Sequence, residues 1–131
     1  MANQEEYLSY ERLSVWEKSV DFAVDVLDAV ESMSTGRRHY RLFEQLEACS
    51  TSIAMNIAEG KGRWSLKEYK QFLFYSRSSL YETLTLMVIF KKKNWIANNQ
   101  YNDLRSKALE INKMLNSLIY AIKTKIDQEK K

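Results

Sequence analysis

The sequence predicts an all-α domain, an antiparallel up-down-up-down four-helix bundle. Three observations carry this. Across 131 residues there is no proline, and Gly36, Gly60 and Gly62 are the only glycines, too few turn residues for an all-β or loop-rich fold. Apolar residues recur at spacings of three and four in four separate runs. Two of those runs follow a Ser with a Glu three residues on, the spacing of a capping box. A hydrophobic content of 45% suffices for one core, and the length fits a single domain over residues 1–131.

The first helix is expected over residues 14–34, with Ser14 as N-cap and Glu17 closing the box. Trp16, Val20, Ala23, Leu27 and Val30 form its seam, widened by Phe22, Val26 and Met33. Its other face carries Glu17, Asp21, Asp25, Asp28 and Glu31 and is acidic. The second helix, over residues 40–59, has the stripe Leu42, Leu46, Cys49, Ile53 and Ile57. Gly60 stands where a left-handed residue ends a helix, and Gly62 permits the chain to reverse.

The third helix, over residues 65–93, opens on the second box, Ser65 and Glu68. One stripe holds Tyr69, Leu73, Ser76, Leu80, Thr83, Met87 and Phe90; a second holds Phe72, Tyr75, Ser79, Glu82, Leu86 and Ile89. Two stripes leave little free surface. This helix is therefore expected to be either central or in contact with another subunit; its run is also the longest of the four, long enough to project. Ser76, Ser78 and Ser79 allow close helix approach. Lys91, Lys92 and Lys93 place cations at the negative end of its dipole. The fourth helix, over residues 99–127, has the seam Leu104, Ala108, Ile111, Leu115, Leu118 and Ile122, with a fraying tail beyond.

The stretch from Asn56 to Ser65 is glycine-containing and basic, so it could cradle a phosphate or form a tight corner. A phosphate loop follows a strand and carries Gly-Lys-Ser/Thr. Neither is present, and the local physics favours the corner. Asn56 and Glu59 fall in the last turn, Trp64 can staple against Tyr69, and Ser65 caps the next helix. Asn56 is expected to be hydrogen-bonded within the bundle. Glu82, on an apolar stripe, is expected to pair with Arg41, Arg63 or a neighbouring subunit.

The residues argue against an enzyme. His39 is the sole histidine, Cys49 sits on an apolar stripe, and no Glu-x-x-His or Cys/His metal spacing occurs. No metal or cofactor is expected. One cysteine allows no internal disulfide, the N-terminus is polar and acidic, and the longest apolar run, residues 84–90, cannot cross a membrane. A cytoplasmic protein is the expectation.

From Gln45 to Gly60 the sequence reads Gln-Leu, then Ala, Ser-Ile and Asn-Ile-Ala-Glu-Gly. This resembles the signature of the four-helix bundle proteins encoded in 23S rRNA intervening sequences. Gly62-Arg63, Ser65 with Glu68, Phe72, Ser79-Leu80 and Glu82-Thr83 continue the match, and Leu13-Ser-Val-Trp16 resembles the family's opening. The family often has Pro where Ala54 stands and Gly where Ser78 stands, and a Phe-Pro pair usual before the second helix is absent. The resemblance implies a bacterial protein whose protomers assemble into a homopentameric ring. It also implies kinship with the accessory variability protein of diversity-generating retroelements, a basic pentamer that partners a reverse transcriptase and nucleic acid.

In an up-down bundle the first and third loops share one end. That end gathers Arg37, Arg38, His39, Arg41, Lys91, Lys92 and Lys93; the opposite end has Lys61, Arg63, Lys67 and Lys70, diluted by Glu5, Glu6 and Glu11. In a monomer these are solvated loop charges. In a ring, five protomers at +3 each carry +15, which attracts polyanions by counterion release. Trp64 and Trp95 lie beside the clusters and could stack on bases or anchor packing. The expected function is a non-enzymatic oligomeric binding protein for RNA or single-stranded DNA. The rival is a protein-interaction scaffold whose acidic first helix meets a basic partner.

Overall fold

The computed structural model describes residues 7–33 and 39–130. A 3-10 turn, Ser9–Arg12, precedes four helices: α1 Ser14–Ser32, α2 Tyr40–Lys61, α3 Leu66–Lys92 and α4 Asn98–Glu129. No strand occurs among the described residues. Cross-helix contacts set the helix directions. Ser76 and Thr83 of α3 reach Ile53 and Cys49 of α2, so one helix ascends as the other descends. Arg77 and Tyr81 meet Asn116 and Asn112, and Lys18 and Asp25 meet Glu110 and Lys107. Each pair is antiparallel, and α1 against α4 closes the four-helix bundle.

Ser14 does not cap α1. Leu13 occupies the N-cap without a side-chain hydrogen bond, and the Glu17 amide donates to the Leu13 carbonyl at 3.1 Å. The side chain that folds back is Glu11, whose Oε1 accepts the Leu8 N–H at 2.9 Å. The expected seam is also rotated. Val15, Ser19, Phe22, Val26 and Ala29 are buried with Ala23, whereas Trp16, Val20, Leu27 and Val30 are half-buried. An apolar pattern overlooks Ser19, which tolerates burial because its hydroxyl donates to the Val15 carbonyl at 2.7 Å.

Gly60 is not a left-handed terminator. The helix continues through it to Lys61, and Gly60 is buried against α3. A Cβ there would lie 2.7 Å from Phe72 Cβ and 3.1 Å from the Tyr69 carbonyl oxygen. The glycine serves close approach of two helices, not the turn. Gly62 caps α2 at φ −80°, a right-handed conformation open to any residue. The left-handed residue is Asn94, at φ 61°, after α3.

The first expected stripe of α3 is buried throughout, from Tyr69 to Phe90. Its polar members are paired: Ser76 Oγ donates to the Ile53 carbonyl at 2.8 Å, and the Thr83 hydroxyl bonds the Ser79 carbonyl at 2.8 Å. In the second stripe Leu86 is buried, but Tyr75, Glu82 and Ile89 are exposed. The longest helix is α4, with 32 residues against 27 in α3. Ile119 takes the core position expected of Leu118, Ile126 remains buried, and the helix runs to Glu129, two residues past the expected end.

Candidate nucleic-acid interface

The end shared by the α1–α2 and α3–α4 connections is held by aromatic packing. Trp95 lies 4.5 Å from the His39 ring, 5.8 Å from Phe43 and 5.1 Å from Phe90, centroid to centroid. The α3 terminus is a Schellman turn. The Trp95 amide donates to the Phe90 carbonyl and the Asn94 amide to the Lys91 carbonyl, both at 2.9 Å, with Asn94 in the left-handed position. This geometry packs Trp95 against His39, Phe43 and Phe90.

Around that platform stand the predicted cations. Arg41, Lys92 and Lys93 are exposed and pair with no described residue. Lys91 is half-buried, its ammonium 4.5 Å from the Tyr101 ring centroid. Arg37 and Arg38 lie outside the described residues. Among the cations of this end, the structure therefore brings together Arg41, Lys91, Lys92 and Lys93.

At the opposite end the corner cations are already engaged. Arg63 sits 4.6 Å from the Phe72 ring and 3.1 Å from the Glu59 carboxylate, and Lys61 lies 5.6 Å from the Tyr69 ring. Lys67 is exposed and Lys70 half-buried. Ser65 caps α3, its hydroxyl oxygen accepting the Glu68 amide at 3.1 Å. Trp64 does not staple onto Tyr69; it is fully exposed, because the chain enters α3 with that side chain pointing outward. Tyr69 is buried, and its hydroxyl finds no partner among the described residues, so burial raises its pKa.

Asn56 is half-buried and donates to the Ser52 carbonyl at 2.9 Å and to Ser52 Oγ at 2.8 Å. Ser79 Oγ donates to the same Ser52 Oγ at 3.0 Å, so the chain of bonds links α2 to α3 about two turns before the corner. Glu82 is exposed and makes no ion pair among the described residues, which corrects the expectation of an intrachain partner. It lines a cleft of about 500 Å³ with Gln45, Ser78, Tyr81, Thr85 and Ile89. Cys49 is buried, and desolvation pushes its thiol pKa up. Among the described residues no cluster of His, Cys, Asp and Glu is placed to hold a metal ion. Among the described residues no helix is long and apolar enough to cross a membrane.

The family model described as 23S rRNA-intervening sequence protein matches residues 11–117. The chain belongs to that family. A crystallised protein of unknown function from the S23 ribosomal protein family of Bacteroides thetaiotaomicron superposes with a TM-score of 0.75 at 26% identity, covering 80% of this chain and 97% of the other. Among curated proteins none matches.

Sequence reasoning missed two features of this intervening-sequence protein. One carboxylate of the acidic α1 face is neutralised: Lys107 of α4 pairs with Asp25 at 2.6 Å, as well as with Asp103 of its own helix at 3.0 Å, while Lys18 of α1 pairs with Glu110 of α4 at 2.8 Å. The second is the placement of Lys130, which shares a cleft with Trp64 and Lys67. No spacing rule links residues so far apart in the chain.

Proposed function

We propose that this chain is a non-enzymatic, oligomeric binding protein that holds RNA or single-stranded DNA through backbone phosphates. The observation that carries the reading is the set Arg41, Lys92 and Lys93, exposed and unpaired among the described residues at one end of the bundle. Long cations on a loop end suit phosphates and not base edges. Assembly into a homopentameric ring would repeat the set five times. The exposed Tyr75, Tyr81 and Ile89 on the outer face of α3, with the free carboxylate of Glu82 among them, supply an apolar face for that assembly. Binding to a random-sequence single-stranded RNA should weaken steeply with salt, with a log–log slope of about −0.7 per contacted phosphate. Changing Arg37, Arg38, Lys91, Lys92 and Lys93 together to Gln should flatten that slope and leave the native mass unchanged. Equal binding by parent and variant would remove this end as the site.

A second reading has its own observation. Glu17, Asp21, Asp28 and Glu31 remain exposed on α1 without an ion-pair partner among the described residues. They suit a scaffold that docks a basic protein, such as a nucleic-acid enzyme. Absence of RNA binding at low salt would favour this reading.

A further inference from the structure

The chain has three tryptophans, and two are used in packing. Trp16 meets Tyr10 with ring centroids 5.2 Å apart, and Trp95 meets three rings. Trp64 meets none and is 104% exposed. Its backbone position is set, because the next residue is the Ser65 N-cap, whose hydroxyl accepts the Glu68 amide. The indole lies at the rim of a cleft of about 380 Å³, walled by the first turn of α3 and the last turn of α4. That cleft is lined by Ser65, Leu66, Lys67, Ile126, Glu129 and Lys130. Lys67 and Lys130 are exposed and pair with no described residue.

An indole that anchors a protein partner is normally the centre of an apolar patch. Here the exposed neighbours are Arg63, Lys67, Glu129 and Lys130, and the apolar residues of the cleft, Leu66 and Ile126, are half-buried and buried. A flat π-face at a cleft that also holds two exposed lysines matches a nucleotide: the base stacks and the flanking phosphates take the ammonium groups. Glu129 disfavours a phosphate on its own stretch of wall, which leaves the backbone path to the two lysines. We infer that Trp64, with Lys67 and Lys130, is a stacking site for an unpaired base of single-stranded nucleic acid, at the end opposite Arg41, Lys92 and Lys93. The inference rests on the single-strand reading above and extends it, since the loop-end cluster offers charge but no free aromatic face. It adds a preference for unpaired over duplex nucleic acid, which backbone charge alone does not supply.

The test uses the full chain and a fluorescein-labelled oligothymidylate, single-stranded or annealed to oligoadenylate, with binding read by anisotropy. Trp64→Ala should weaken single-strand binding by about tenfold, the usual scale for one lost aromatic stack, and leave duplex binding unchanged. Trp64→Phe should fall between, and Lys67→Gln with Lys130→Gln should lower the salt slope. Light scattering on each variant reports the native mass. Single-strand binding equal to the parent in Trp64→Ala would overturn the inference while the loop-end reading stands. Equal losses on duplex, or a reduced native mass, would overturn it too, the latter by placing the indole between protomers. No binding by the parent at low salt would overturn both readings.

Discussion

Gly60 of α2 and Phe72 of α3 stand so close that a Cβ on the glycine would lie 2.7 Å from the Phe72 Cβ. Real Cβ atoms do not approach that closely, so any side chain at Gly60 must push the two helices apart. Overpacking of this kind costs about 1–3 kcal/mol, against about 1 kcal/mol gained when alanine replaces glycine inside a helix. Gly60→Ala is therefore expected to lower stability. A Cβ at Gly62 would meet the Glu59 carbonyl oxygen at an ordinary 3.6 Å, so Gly62→Ala is expected to be neutral or stabilising. Denaturant unfolding of both variants checks the pair; a harmful Gly62→Ala beside a harmless Gly60→Ala would reverse the assignment.

The two serine boxes should behave differently. Ser65→Ala removes an observed cap and is expected to cost about 1 kcal/mol. Ser14→Ala removes none, since Leu13 holds the N-cap position of α1, and should leave the unfolding midpoint within error. Similar losses for both would show that Ser14 caps α1 in solution.

Asn94 sits at φ 61° in the Schellman turn. Asn94→Gly should hold or raise stability. Asn94→Val should lower it by about 1–2 kcal/mol, the strain of a β-branched residue in the left-handed region. Because this turn seats Trp95 on Phe90, the Val variant should also shift the tryptophan emission. An unchanged spectrum and midpoint would contradict the turn.

Alkaline pH should weaken the α1–α4 contact. Hydrogen bonds to Asp25 and Asp103 raise the Lys107 pKa, and a hydrogen bond to Glu110 raises that of Lys18. Each lysine thus keeps its proton in the folded chain after the unfolded chain has lost it. Their contribution is present below the ordinary lysine value and is lost as pH rises through the raised one. The buried Cys49 thiol acts in the same direction, because the unfolded thiol ionises first. The melting temperature should fall from neutral to alkaline pH, and less steeply in Lys107→Gln. The pairs are about half exposed, so the difference should be small. Parallel curves for parent and variant would remove the Lys107 contribution.

The outer face of α3 should carry self-association. Light scattering is expected to give several times the 15.5 kDa chain mass. Tyr81→Glu with Ile89→Glu should lower that mass while helical content is kept, since both side chains are exposed in the single chain. A monomeric parent at micromolar concentration would remove the ring and its multiplied charge.

Much of the fold was legible in the sequence because helices announce themselves locally. The α3 stripe Tyr69, Leu73, Ser76, Leu80, Thr83, Met87 and Phe90 was read residue for residue from a 3.6-residue period. Ser65 was read from its spacing to Glu68, and the end of α3 from Lys91, Lys92 and Lys93 before Asn94. These features depend on neighbours within one or two turns, and the chain order alone supplies those neighbours.

Only the tertiary structure decided the rest. Whether Gly60 turns the chain or admits a helix depends on where Phe72 lies, twelve positions on, across an interface. Trp64 and Trp95 are the same residue type beside similar cations. One is bare and the other is packed because His39 and Phe43 at the start of α2 and Phe90 near the end of α3 converge on Trp95. Asp25 lost its free charge to Lys107, and Lys130 came to share a cleft with Lys67, for the same reason. Burial and charge pairing are properties of surfaces brought together in space, and a periodic pattern along one helix does not record what stands opposite it.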